Sequence, residues 1–170
     1  MAYDPLAGLG DVKRGFTKAN ILNKPGKYIV RIDKCDMYSH SRNRSNFSWK
    51  NTLTVLASEG DDFYPGETAH TVFKTNHGVE MFQQRVNEFL AGVFNVKDAD
   101  ITAEFAHDVR EKGSLNGQCC TVTVTLRPSK SGRDNNGNPI MHPNYQWGRA
   151  LSIEELQAAV DAETLARILG

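Results

Sequence analysis

Residues 120–126 alternate strictly between apolar and threonine side chains, and no other stretch constrains the fold of this chain as strongly. The apolar positions are Cys120, Val122, Val124 and Leu126, and the intervening positions are Thr121, Thr123 and Thr125. Successive side chains of a β-strand point to opposite faces of its sheet. The pattern therefore predicts a strand with one buried face and one polar face.

Weaker patterns of the same kind predict four more strands, over residues 27–38, 47–57, 68–75 and 140–150. A helix is predicted over residues 78–94, where six apolar residues recur at helical spacing: Val79, Phe82, Val86, Phe89, Leu90 and Val93. A shorter helix is predicted to start at Asp98 or Asp100 and to run through Phe105. A last helix is predicted over residues 152–169, because Ser152 and Glu155 have the spacing of a capping box.

The order of elements is three strands, a helical segment, two strands and a terminal helix. An oligonucleotide/oligosaccharide-binding (OB) barrel has five strands, commonly with a helix between the third and the fourth. We therefore predict an α+β fold, mainly β, with a five-stranded OB-like barrel, a helix between strands 3 and 4, and a C-terminal helix. The predicted parts are an N-terminal arm (1–25), an OB-like nucleic-acid-binding domain (26–151), and a helix (152–170) packed on the domain or on a partner.

The charges are sorted along a chain whose net charge is zero. Residues 1–58 contain ten Lys or Arg and four Asp or Glu, whereas residues 59–118 contain five and eleven. Residues 119–151 are basic again, with four Lys or Arg against one Asp or Glu. In an OB barrel the loops joining strands 1–2 and 4–5 help to bind the ligand. Here those loops are residues 39–46 and 128–138, which indicates a directed contact with a polyanion.

Single-stranded nucleic acid is bound by basic grooves and by aromatic rings on which bases stack. The candidate binding residues lie in or next to the two basic loops: Arg42, Arg44, Phe47, Trp49, Lys50, Lys130, Arg133, Tyr145 and Trp147. Trp49 is in phase with Leu53 and Val55, so a core position is equally consistent with its spacing. Tyr145 and Trp147 share one face of their strand and are expected to be exposed. The alternative for Arg42, Arg44 and Arg133 is that they are solvent-exposed loop residues that bind no ligand.

Nothing in the sequence predicts catalysis, a metal site or a cofactor. The five histidines are scattered, and the motifs of nucleotide-binding and hydrolase families are absent. Cys119 and Cys120 are adjacent, so on a strand one is expected in the core and one on the surface. No apolar run reaches the roughly 20 residues of a membrane span. The N-terminus lacks a signal-peptide pattern, so we expect a cytoplasmic, non-enzymatic protein without membrane contacts.

Three stretches resemble small bacteriophage-encoded single-stranded-DNA-binding proteins of the OB type. They are residues 24–32 (KPGKYIVRI), residues 63–67 (FYPGE) and the predicted helix 78–94. The resemblance implies coating of single-stranded DNA during phage replication or recombination in the host cytoplasm, with self-association as a dimer or along the DNA left open. The chain departs from such proteins in ending with a predicted helix instead of an acidic tail. The alternatives are a phage structural or assembly protein that uses the hairpins and the terminal helix for protein contacts, and, more distantly, a metal-dependent nuclease.

Overall fold

Five antiparallel strands form one sheet in the computed structural model, which describes residues 20–39, 46–59 and 63–169. The strands are β1 (Gly26–Ser39), β2 (Phe47–Ser58), β3 (Thr68–Lys74), β4 (Cys119–Arg133) and β5 (Pro139–Ala150). Their order across the sheet is β3-β2-β1-β4-β5. The prediction of an α+β fold that is mainly β is therefore confirmed. The two edge strands, β3 and β5, are not hydrogen-bonded to each other, so the sheet is not closed into a barrel.

A short segment before β1 lies between the two edge strands. Ile21 forms a parallel bridge with His70 of β3, and the Leu22 N–H donates to the His70 carbonyl at 2.8 Å. On the other side, the Tyr145 hydroxyl of β5 donates to the Leu22 carbonyl at 2.8 Å. Leu22 is fully buried. Residue 22 therefore links both edges of the sheet. The rest of the predicted arm, residues 1–19, lies outside the described residues.

The helix α1 (Val79–Phe94) confirms the helix predicted between strands 3 and 4, and its stripe contributes Val86, Phe89, Leu90 and Val93 to the core. It packs closely against β5. A Cβ atom at Gly92 would lie 2.7 Å from the backbone oxygen of Trp147, so only glycine permits this approach. Within the described part of the chain, every helix falls short of the length and apolarity that crossing a bilayer requires.

The second helix begins later than the sequence predicts. Asp98–Asp100 forms a single 3₁₀ turn, and α2 spans Ala103–Lys112. Thr102 is its N-cap, because the Thr102 hydroxyl accepts a hydrogen bond from the Phe105 N–H at 3.1 Å. Threonine is a good N-cap residue, and this cap sets the start of the helix.

The predicted C-terminal helix is two short helices, α3 (Ile153–Ala159) and α4 (Ala162–Leu169). Val160 between them is extended, with φ −123° and ψ 137°. Asp161 then caps the second helix, since its carboxylate accepts from the Thr164 N–H at 2.9 Å. The single-helix prediction is wrong because extended Val160 ends the first helix and Asp161 caps a second one.

The terminal helices cover part of the outer side of the sheet, which is the side away from the main core. They form a second apolar cluster there, which contains Leu56, Cys119, Leu156 and Val160. Cys120 points the other way, into the main core. The two cysteines therefore face opposite sides, as predicted, but both are buried. The expectation of one surface cysteine is wrong because α3 and α4 cover the second face.

The capping box at the start of α3 is confirmed. The Glu155 carboxylate accepts from the Ser152 N–H and forms an ion pair with Arg149 at 2.7 Å. Hydrogen bonds from Arg149, and then from Ser152, lower the pKa of Glu155 to about 2 from an ordinary value of 4.5. A carboxyl group with a lowered pKa stabilises the fold above its ordinary pKa, and this contribution is lost as the pH falls.

We therefore expect the melting temperature to fall as the pH drops from about 4.5 through about 2. Glu155→Gln should show a shallower fall over the same range, because its side chain cannot titrate. Thermal melts of both proteins at several pH values measure the difference. Identical pH profiles would mean that Glu155 does not contribute to acid stability.

Candidate nucleic-acid interface

One end of the outer side of the sheet carries lysines and an exposed aromatic ring across three strands. Tyr38 of β1 pairs with Ser48 of β2, which pairs with Lys74 of β3. Lys50 is two residues from Ser48 on the same face of β2, so Lys50 and Lys74 are diagonal neighbours. The Cα atoms of such neighbours lie about 7–8 Å apart. Tyr38 is 47% exposed. We call Tyr38, Lys50 and Lys74 the basic face.

One acidic residue, Asp36, lies beside the basic face. Asp36 pairs with Lys50 across the strands, but its carboxylate forms an ion pair with Lys34 instead, at 3.4 Å. Among the described residues, neither Lys50 nor Lys74 forms an ion pair. The basic face therefore presents positive charge beside an aromatic ring, which suits a single-stranded polyanion.

Sequence reasoning missed Tyr38 because of a bulge in β1. The register between β1 and β2 shifts between Ile32 and Lys34. Before the shift Val30 and Ile32 face the core, whereas after it Cys35 does. A bulge adds one residue to a strand and so exchanges the faces of the residues that follow. Strict alternation from Ile32 assigns Tyr38 to the core, whereas the bulge places it outside.

Phe47 is exposed but lies on the opposite side of β2 from Lys50. Its N–H donates to the Thr75 hydroxyl at 2.8 Å, which holds the start of β2 against the end of β3. Its side chain lines an apolar groove together with Met37 and Phe82. The prediction of an accessible aromatic at this position is consistent with the structure, but Phe47 is not part of the basic face.

Trp49 is buried in the main core, which decides between the two alternatives for this residue. Its indole N–H donates to the Asn51 side-chain oxygen at 2.8 Å, and Asn51 donates to the Thr71 hydroxyl at 3.0 Å. A buried indole that is fully hydrogen-bonded within the core has no free face for a base. Trp49 therefore supports the sheet beneath Lys50.

Tyr145 and Trp147 are 9% and 8% exposed, so the prediction that they are exposed is wrong. The Trp147 ring packs edge-to-face on Phe89 of α1, with the centroids 4.6 Å apart. The Tyr145 ring lies with its centroid 6.2 Å from that of Phe73, and burial raises the pKa of its phenol. The two rings face inward because α1 lies against β5. Periodicity identified their common face, but not which side α1 would cover.

The strands β4 and β5 extend much further into the predicted 128–138 loop than expected. After an irregularity in register that follows Pro128, their pairing resumes at Arg133 and Pro139, and the turn itself is only residues 134–138. The Asp134 carboxylate closes this turn by accepting from the N–H groups of Asn136 and Asn138 at 2.8 and 2.9 Å. We call residues 125–142 the β4–β5 hairpin.

Lys130 and Arg133 are both exposed on the β4–β5 hairpin, as is Arg127. The Arg133 guanidinium donates to the Gly132 carbonyl at 3.0 Å, which directs it along the strand. The hairpin has one acidic residue, Asp134, which is engaged in the turn. Its three basic residues, Arg127, Lys130 and Arg133, therefore present positive charge on the hairpin.

Arg42 and Arg44 lie outside the described residues, so their predicted role stays a prediction. Their loop leaves β1 after Ser39 and returns at Phe47, and these two residues are paired. The loop therefore starts and ends next to Tyr38 and close to Lys74.

Within the described ranges, no three His, Cys, Asp or Glu side chains come together in a way that would hold a metal ion. Desolvation raises the pKa of Cys35 and of Cys120 to about 12 in each case. Both thiols are therefore protonated at neutral pH and are poor nucleophiles. Comparison with known proteins identifies no relative: no protein-family model matches the chain, and no curated protein matches it.

Proposed function

We propose that this protein binds single-stranded DNA without enzymatic activity and with little sequence preference. The observation that carries the proposal is the basic face, where Lys50 and Lys74 lie beside the exposed ring of Tyr38. Lysines bind the phosphates of a single strand and an aromatic ring stacks on its bases. The resemblance to phage proteins adds a context for this activity, in the replication or recombination of phage DNA within the host cytoplasm.

The arrangement of the strands supports an OB-like fold as part of this proposal. An OB barrel is partly open and binds its ligand on the face of strands 2 and 3. Here β3 and β5 are the edge strands of the sheet, and Phe73 and Tyr145 meet across the opening between them. The basic face lies on β2 and β3 together with the end of β1. The proposed binding surface therefore coincides with the surface that OB proteins use.

The lysines of the basic face offer the most direct test. We expect Lys50→Ala combined with Lys74→Ala to weaken binding to an oligo-dT of about 30 nucleotides. Each phosphate that a lysine neutralises on a single strand contributes about 0.7 to the salt slope, so the double variant should reduce the slope by about 1.4. Fluorescence anisotropy at several salt concentrations measures both the affinity and the slope.

Lys24→Ala combined with Lys97→Ala is the matched control, because both lysines are exposed, lie outside the strands and form no ion pair with a described residue. This control removes the same charge and should leave the salt slope unchanged. An equal loss of binding in the two double variants would show a general charge effect and would contradict the proposed site. Failure of the unaltered protein to bind at micromolar concentration and low salt would favour a structural or assembly role.

Tyr38 tests the stacking part of the proposal. Tyr38→Ala should weaken binding by roughly 1–3 kcal/mol, because a stacked base loses its ring. Tyr38→Phe keeps the ring and should bind almost normally. Melting curves of both variants establish that the fold is intact. If the phenylalanine variant loses as much affinity as the alanine variant, the hydroxyl rather than the ring binds the DNA.

A further inference from the structure

A groove with apolar walls lies between the core side of the sheet and the helices α1 and α2, at the end of the sheet where β2 begins. It has a volume of about 680 Å³, and its aromatic walls include Phe47 of β2 and Phe82 of α1. Phe47 is 39% exposed, so its ring is accessible from solvent. Small-ligand sites are mostly apolar clefts of roughly 300–1,000 Å³ with a few polar groups. We call this cleft, which both rings line, the Phe47 groove.

Two amide side chains of α1 also line the Phe47 groove. Gln83 and Asn87 are four residues apart, so they lie on one face of the helix. The Asn87 amide nitrogen donates to the Asp98 carbonyl at 3.0 Å, which holds this side chain in place. Neither the Gln83 amide nor the Asn87 side-chain oxygen is hydrogen-bonded to another described residue. The groove therefore offers hydrogen-bond donors and acceptors beside aromatic rings.

The lining of the Phe47 groove favours an uncharged ligand with polar edges. Among the described residues, no Asp, Glu, Lys or Arg lines the groove, and His107 is its one titratable side chain. A phosphate would find no Lys or Arg there, and a purely apolar ligand would leave the two amide groups unpaired. A nucleobase matches both features, because its flat face stacks on an aromatic ring and its edge forms hydrogen bonds.

The Phe47 groove adjoins the basic face at one end of the sheet. On each of three strands, a residue that lines the groove is next in sequence to a residue of the row that crosses the basic face. These neighbours are Met37 and Tyr38 on β1, Phe47 and Ser48 on β2, and Thr75 and Lys74 at the end of β3. Adjacent Cα atoms are only about 3.8 Å apart. The groove and the basic face therefore lie on opposite sides of the same end of the sheet.

We propose that the Phe47 groove binds one unstacked base of a DNA strand whose neighbouring phosphates contact Lys50 and Lys74. This inference rests on the proposed DNA binding and adds to it a base-binding site on the other side of the sheet. The base stacks on the ring of Phe47, and its edge forms hydrogen bonds with Gln83 and Asn87. An amide side chain both donates and accepts, so it can pair with any of the four bases, which fits the proposed lack of sequence preference.

Phe47→Ala in the full-length protein tests the stacking of the base. The variant should bind oligo-dT roughly fivefold to a hundredfold more weakly, which is the range expected for the loss of one stacked base. Its salt slope should stay unchanged, because no phosphate contact is removed. Phe47→Tyr keeps a ring and should bind almost normally, and melting curves verify that both variants fold. Normal binding by Phe47→Ala would overturn the base site and leave the proposed role of the basic face standing.

Gln83→Ala tests the hydrogen bonds to the base. Gln84→Ala is the matched control, because Gln84 is an exposed glutamine next to Gln83 on α1 that does not line the groove. Gln83→Ala should weaken oligo-dT binding severalfold, whereas Gln84→Ala should bind normally. Equal affinities of the two variants would overturn the assignment of Gln83 to the base site.

Thymidine, which has a base and a sugar but no phosphate, tests the groove separately from the basic face. In NMR spectra of the full-length protein, it should shift the side-chain amide signals of Gln83 and Asn87 but not those of Gln84. The Lys50→Ala, Lys74→Ala double variant should show the same shifts. Absence of these shifts at high thymidine concentration would overturn the base site. Thymidine shifts in a protein that fails to bind oligo-dT would contradict the proposed DNA binding instead, and the groove would then be a nucleoside site.

Discussion

Replacing Trp147 with alanine is expected to cost about 3–5 kcal/mol of unfolding free energy, which is the usual cost of truncating a buried tryptophan. The ring is buried and packs on Phe89 of α1, so its removal leaves a cavity between the helix and β5. Urea unfolding of the variant measures the loss. The affinity of the remaining folded molecules for oligo-dT should be unchanged, because Trp147 is not on the basic face.

Trp147→Phe is the matched control for this prediction. It keeps an aromatic ring against Phe89 and should lose less stability than the alanine variant. A Trp147→Ala protein that keeps its stability but loses oligo-dT binding would contradict the structure. That result would restore Trp147 as an exposed stacking residue.

Replacing Leu22 with alanine is the second change with a large expected effect. We expect a loss of about 2–5 kcal/mol, because the side chain is fully buried between the two edge strands. Without the structure, residue 22 would be assigned to a peripheral arm and the change would be expected to be neutral. Urea unfolding measures which expectation holds.

Tyr145→Phe separates the packing of Leu22 from its hydrogen bond. This variant removes only the bond from the Tyr145 hydroxyl to the Leu22 carbonyl and should cost about 1 kcal/mol. A loss in Tyr145→Phe as large as that in Leu22→Ala would mean that the hydrogen bond, and not the side chain, holds the segment in place.

The five strands and α1 could be predicted because their signals are local. Alternation in residues 120–126 and the helical stripe from Val79 to Val93 depend only on neighbours along the chain. Lys50, Lys130 and Arg133 were likewise placed correctly at accessible positions, since charged side chains are rarely buried.

The errors concern features that neighbours along the chain do not determine. Tyr145 and Trp147 share a face in either case, and only the position of α1 decides that this face is buried. The exposure of Tyr38 depends on a bulge whose position the sequence does not signal. Cys119 is covered only because α3 and α4 fold back over the outer side of the sheet.

The segment at Leu22 also has a consequence for how the chain folds during synthesis. The hydrogen bond between Tyr145 and Leu22 joins residues 123 positions apart. Contacts that close so long a loop form late, because the entropy of loop closure is lost before the contact compensates for it. The ribosome makes the chain from its N-terminus, so Leu22 is made early. Its carbonyl lacks the hydrogen bond to β5 until Tyr145 has been made. Until then only the bonds to His70 can hold this segment in the nascent protein, and the link to β5 is the last part of it to form.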